Sequence, residues 1–155
     1  MRLVMEYLSV LAAAVLIGKV VLLSFVVAPV LAKNLDQEAF GKVVRHLFPA
    51  YYALGIGAAC TGLASVIMRG ITEETDALHH LAAGLWLVVM AAETYCRSPL
   101  TPQSNAMRDR LKEQESRGAV DPVLQRAWNR LHQRSVYLNA LVLCVGLGLL
   151  GLANR

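Results

Sequence analysis

Two charged residues stand inside apolar stretches long enough to cross a bilayer. Lys19 lies near the middle of residues 8–31, and Glu93 near the end of residues 78–96. A lysine at mid-membrane costs at least about 2.5–3.5 kcal/mol on insertion scales, and by default it faces protein or a cavity. Spans one and three cross the membrane in the same direction. Counted from their starts, Lys19 lies level with about Met90, and Glu93 is roughly 4.5 Å further along the axis at about 1.5 Å per residue. A lysine side chain covers that distance, so an intramembrane ion pair between Lys19 and Glu93 is expected. The competing arrangement has Lys19 snorkelling or bonding a carbonyl, with Glu93 in the inner headgroup region.

The histidines offer a second kind of chemistry. His79 and His80 are adjacent, so they point about 100° apart on a helix and make poor joint ligands for one metal. His46 and His132 both fall at the inner boundary. Facing each other across the bundle they could hold haem or a metal such as copper; the plainer alternative is a pair of interfacial hydrogen-bonding residues. The cysteines, Cys60, Cys96 and Cys144, are odd in number and form no CxxC pair, which fits small buried hydrophobes. No HExxH, di-iron Glu-x-x-His pattern, phosphate loop or Ser/His/Asp set is present. These absences point away from an enzyme, and no cofactor is required by the sequence.

These groups need helices to carry them. The chain of 155 residues is 56% hydrophobic with a mean hydropathy of +0.48, above the roughly 45–50% of soluble domains. The excess forms four blocks, at residues 8–31, 50–68, 78–96 and 135–152, in one transmembrane domain over residues 1–155. The first block is too long for the ~7–15-residue core of a signal peptide and is expected to be retained. Pro29 is expected to kink or end its helix. Between spans one and two, Phe40, Val43, Val44, Leu47 and Phe48 recur at helical spacing opposite Lys42 and Arg45, with Asn34 or Asp36 as cap. That pattern predicts an amphipathic helix lying at the membrane surface or packed under the bundle, separated from span two by Pro49. Arg69 to Asp76, with Glu73 and Glu74, is a polar loop. Pro99 and Pro102 are expected to break the third helix, after which Ser104 caps a short charged helix through Glu115 that Gly118 ends. Asp121-Pro122 starts the last helix.

Small residues mark packing faces. Gly55, Gly57 and Gly62 serve span two through Ala53-xxx-Gly57, Gly55-xxx-Ala59 and Ala58-xxx-Gly62; Gly146 and Gly148 serve span four. Asn139 is expected to hydrogen-bond to another helix. The net charge of +4 collects in loops beside the spans, without the basic–aromatic interleaving that single-stranded nucleic acid requires. One side of the membrane carries Arg2, Arg69 and Arg155; the other carries Lys33, Lys42, Arg45, Arg97, Arg108, Arg110, Lys112, Arg117, Arg126, Arg130 and Arg134. The basic side is expected to be cytoplasmic and both termini outside. Tyr51, Tyr52, Tyr95 and Tyr137 would form an aromatic belt at the inner boundary.

Four phrases carry a family resemblance. They are Phe25-Val26-Val27-Ala28-Pro29-Val30-Leu31 before Lys33-Asn34-Leu35; Leu47-Phe48-Pro49-Ala50-Tyr51-Tyr52; Thr101-Pro102 leading to Arg108-Asp109; and Leu131-His132-Gln133-Arg134-Ser135-Val136-Tyr137-Leu138-Asn139. Along nearly its whole length the chain resembles the transmembrane protein 205-like family and bacterial four-span relatives known only as a domain of unknown function. It departs from the family at Ala32, where an aromatic is usual, and at Lys19, where small residues are. Distant four-span relatives include copper-resistance membrane proteins and a haem-binding oxidase whose first-span histidine has no counterpart here. The resemblance implies little chemistry.

The sequence thus predicts an all-α integral membrane four-helix bundle, with the amphipathic surface helix between spans one and two and a helical cytoplasmic loop between spans three and four. Its expected setting is the bacterial inner membrane. Its expected role is a non-catalytic accessory or stabilising subunit, in contact with lipid and with other membrane subunits or its own copies, not nucleic acid. The alternative is a haem- or metal-handling protein using His46 and His132.

Overall fold

Aspartates start three of the four long helices. Asp36 accepts from the Ala39 N–H at 2.8 Å, Asp76 from the His79 N–H at 2.8 Å, and Asp121 from the Val123 N–H at 2.8 Å. Each carboxylate satisfies a donor that the first turn leaves without an intrahelical partner. The computed structural model describes residues 1–72, 74–118 and 120–153. Glu73 of the expected polar loop and Arg155 of the outer basic set lie outside the described residues. The helices are α1 (Arg2–Asn34), α2 (Gln37–Thr72), α3 (Ala77–Ser116) and α4 (Pro122–Ala153), each long and apolar enough to cross a membrane. No strand occurs among the described residues.

The helices form a ring. α1 packs on α2, α2 on α3, α3 on α4, and α4 closes on α1; α1 and α3 stand on a diagonal without direct backbone contact. Alanine, glycine and branched aliphatic residues fill the centre around one large ring, Trp86, which is fully buried. Its indole lies on Gly62, where any Cβ would overlap it. Outward faces carry Leu11, Phe25, Leu54, Ile67, Leu87 and Leu147, all exposed. A bundle with apolar groups both inside and outside is built for lipid.

The prolines end neither helix. Pro29, expected to kink or end the first helix, does not end it, and Pro99 and Pro102, expected to break the third, both lie within α3. The turn before Pro29, Leu23–Val27, widens to a π-helix, and the Ala28 N–H donates to the Leu23 carbonyl. Widening makes room where the pyrrolidine ring would otherwise press on the carbonyl four residues back. The same device precedes Pro102: Cys96–Leu100, which also contains Pro99, is a π-turn, and the Thr101 hydroxyl adds a 2.7 Å bond to the Cys96 carbonyl. Inside a membrane helix such local rearrangement satisfies the groups that a proline frees. Ser104 therefore sits within a continuous helix and caps nothing, whereas Gly118, at φ 77°, does end α3.

The separate amphipathic surface helix is also corrected. Residues 37–48 are the first turns of α2, which runs through Pro49 without a break. Pro49 and Arg45, whose carbonyl loses its partner, are both on the exposed side, where water or headgroups can replace the missing bond. Phe48 packs against the core instead, stacked on Tyr52 at 5.7 Å. The segment therefore extends the bundle rather than lying flat on a surface. With the α3 arm (residues 101–116) and the start of α4 it makes a helical platform beyond the apolar zone. Arg45–Asp109 and Lys112–Glu38 ion pairs tie α2 to the α3 arm over the fully buried Leu111.

Candidate functional site: an ion pair across the bundle diagonal

On α1 the inward positions are Ala12, Ala13, Leu16, Lys19 and Val20, the spacing of one helix face. Helical periodicity therefore turns Lys19 inward with the core residues. On α3 the inward line is Trp86, Val89, Glu93, Cys96 and Leu100. Lys19 Nζ and Glu93 Oε1 meet at 2.6 Å, with side chains 3% and 1% exposed. The structure thus brings together the two charged residues of the spans, across the diagonal where the helix backbones themselves do not touch.

α2 supplies the seat. A Cβ at Gly55 would overlap the Glu93 carboxylate and the Lys19 ammonium, so only glycine leaves room for the pair. The Tyr51 carbonyl accepts from Lys19 Nζ at 3.5 Å, and the ammonium stands 3.9 Å from the Tyr51 ring centre and 5.6 Å from that of Tyr52. These contacts partly replace the water that the lysine loses. α4 completes the set. The Tyr51 hydroxyl donates to Asn139 Oδ1 at 2.7 Å, and the Tyr52 hydroxyl pairs with Ser135 Oγ at 3.0 Å. Asn139 Nδ2 donates to the Ser135 carbonyl at 2.8 Å and to the Tyr52 hydroxyl at 3.4 Å. All four helices therefore contribute to one polar cluster. In a low-dielectric interior each charge needs the other, because an isolated one is too costly to bury. At these exposures neither group meets a substrate in this conformation. The geometry is that of a clamp.

Other expectations are corrected by rotation about the helix axes. Tyr51 and Tyr52 do not belong to an aromatic belt. They are 7% and 2% exposed, inside the bundle, whereas Tyr95 and Tyr137 are exposed at 40% and 71%. Their neighbours in the chain hid this, since Leu47-Phe48-Pro49-Ala50-Tyr51-Tyr52 reads equally well at an interface. Ser135, taken only as a span boundary, is a cluster member. Gly57 and Gly148 are not packing faces of this bundle: they are exposed, and nothing lies within 4 Å of a Cβ built on either. Gly55, Gly62 and Gly146 are the packed ones, the last against Ile17 and Leu16 of α1. Cys96 is buried, but Cys60 and Cys144 are exposed on outward faces.

His46 and His132 do not face inward. Both are exposed. His46 Nδ1 lies 2.8 Å from the Lys42 carbonyl of its own helix, and the His132 ring stacks on Trp128 with centres 5.7 Å apart. Each is engaged with the preceding turn of its own helix, so the two do not form a joint ligand pair. Among the described residues no three His, Cys, Asp or Glu side chains gather in a metal-binding group.

Residues 11–113 match the family model of a domain of unknown function, DUF4149. No curated protein and no solved structure matches the chain. The matched stretch holds Lys19, Tyr51, Tyr52, Gly55 and Glu93, and leaves Ser135 and Asn139 of α4 beyond its end. The match carries the expected domain of unknown function; it does not carry the transmembrane protein 205 name. Through three of its four helices, the chain belongs to the DUF4149 family.

Proposed function

We propose that this protein is a non-catalytic accessory subunit of a membrane complex, of the transmembrane protein 205-like type, and that its α2 helix docks a helix of another subunit. One observation carries the reading: a strip of small residues runs along the outward face of α2, beside the exposed Leu54 and Ile67. Ala53, Gly57, Thr61 and Ala64 recur there at helical spacing, and the last three are exposed. Such a surface offers lipid chains little, but it lets a second helix backbone approach closely, which is how helices associate where water supplies no driving force. The polar cluster is engaged within the bundle and turned away from this face. The haem- and metal-handling alternative has no comparable support, since His46 and His132 point outward separately.

The proposed setting is a bacterial cytoplasmic membrane, with the platform in the cytoplasm and the termini outside. The support is charge. The platform end carries eleven Lys and Arg residues, and the opposite end has Arg2 and Arg69 among the described residues; basic segments next to spans favour the cytoplasmic side.

The test is the size of the native assembly. Membranes holding the full chain are solubilised in mild detergent and run on a native gel beside Gly57→Leu and Ala64→Leu variants. The wild type is expected in a band larger than one protomer, with both variants released as protomers of unchanged thermal stability. A wild type that runs as a lone protomer, or variants that stay in the large band, would overturn the proposal.

A further inference from the structure

An open groove of about 430 Å³ lies between the two arms of the platform. α4 lines it with Ala127, Arg130, Leu131 and Arg134, and the α3 arm adds Met107 and Arg110. The α4 residues follow i, i+3, i+4, i+7 spacing, one face of a helix. Ala127, Leu131 and Met107 are half-buried and form an apolar floor, while the three arginines are exposed at the rim. Three guanidiniums thus converge on one apolar groove.

The acids of this end are engaged elsewhere. Asp36 and Asp121 cap helices. Glu38 pairs with Lys42 and Lys112, Asp109 with Arg45, Glu113 with Arg117, and Glu115 with Arg108. Among the described residues no carboxylate pairs with Arg110, Arg130 or Arg134. Like charges gathered this way repel one another, and an anion placed between them relieves the repulsion. Arginine suits a phosphate in particular, since its planar fork donates two parallel hydrogen bonds. The floor decides between anions. Free phosphate gains nothing from Met107 and Leu131, whereas an amphiphile buries its glycerol and first methylenes there. Arg134 directly precedes the apolar stretch 135–152, which puts the groove at headgroup depth.

We propose that the Arg110–Arg130–Arg134 groove binds the headgroup of an anionic phospholipid from the leaflet on the platform side, with the phosphate on the arginines and the glycerol end on the apolar floor. This assignment does not depend on the accessory role, and its outcome is independent of the native-gel result.

The test is a titration of the full-length protein in neutral detergent micelles with phosphatidylglycerol, read as lipid-bound protein by native mass spectrometry. Phosphatidylcholine and inorganic phosphate are the comparison probes. Wild type is expected to retain phosphatidylglycerol over phosphatidylcholine. Arg110→Gln/Arg130→Gln/Arg134→Gln is expected to weaken that binding at least about tenfold. An equal removal of exposed charge elsewhere, Lys33→Gln/Arg97→Gln/Arg126→Gln, is expected to change it less than about threefold. Ala106→Glu, at an exposed position lining the groove, leaves the arginines in place but gives them an internal carboxylate, and is expected to weaken retention as well. Equal retention of both lipids, equal loss in the two triple variants, or full binding by Ala106→Glu would overturn the proposal. Displacement of the lipid by inorganic phosphate at matching concentration would assign the site to a soluble anion and overturn it too.

Discussion

Removing either charge of the diagonal clamp should unsettle the whole bundle, and removing both should hurt little more than removing one. Lys19→Met keeps the length of the side chain but takes the ammonium from a carboxylate that is 1% exposed. Breaking one partner of a buried pair costs about 3–5 kcal/mol in soluble proteins. In a bilayer the unfolded reference state also finds polar partners, so the low end applies, about 3 kcal/mol. Glu93→Gln strands the lysine between the Tyr51 carbonyl and ring and should cost about the same. In Lys19→Met/Glu93→Gln no charge is left without its partner. Its loss should stay near 3 kcal/mol instead of the roughly 6 kcal/mol of an additive sum, a coupling of about 3 kcal/mol. At roughly 2–4 °C per kcal/mol for a chain of this size, each single variant loses about 6–12 °C in Tm. Thermal unfolding in mild detergent, followed by tryptophan emission and by the monodisperse fraction on size exclusion, measures all four proteins. Losses that add to within about 0.5 kcal/mol would refute the clamp.

Two further outcomes follow from positions on opposite faces. Gly62→Val drives a side chain into the Trp86 ring and should lower stability by about 1–3 kcal/mol, while Gly57→Val, in open space, should stay within about 0.5 kcal/mol for the isolated protomer; thermal melts of the two variants check this. Outside the spans, hydrogen bonds from Lys42 and then Lys112 hold the exposed Glu38 carboxyl below its usual range. A depressed folded-state value means that its contribution to stability is present above the unfolded-state pKa and is lost as pH falls through the folded-state value. Glu38→Gln should therefore melt slightly below wild type at neutral pH, with the gap closing in acid below the ordinary carboxylate range; a gap that does not vary with pH contradicts the pairing.

Position along the helix axes was legible in this chain; rotation about them was not. Axial position is a one-dimensional count. A fixed rise per residue and alternating span direction sufficed to level Lys19 with the turn before Glu93, and their reach across the diagonal is what long side chains allow. Rotation depends on where neighbouring helices stand, which the count does not contain. Gly55 and Gly57 differ by about 200° around α2, and one seats the ion pair while the other faces outward. His46 and His132 count to the same end of the bundle yet are both turned out. Tyr51 and Tyr52 count to a boundary yet point in, because Lys19 and Asn139 offer them partners there. The prolines misled for a related reason. A proline reads as a break only if the turn before it keeps α geometry. At Leu23–Val27 and Cys96–Leu100 that turn widens instead, a local change of hydrogen-bond register that no residue type in these stretches announces. The consequence for the site is direct. The π-turn at Cys96–Leu100 begins three residues past Glu93, so the proline-bearing stretch of α3 is accommodated beyond the residue that meets Lys19, and the arm that follows still buries Leu111.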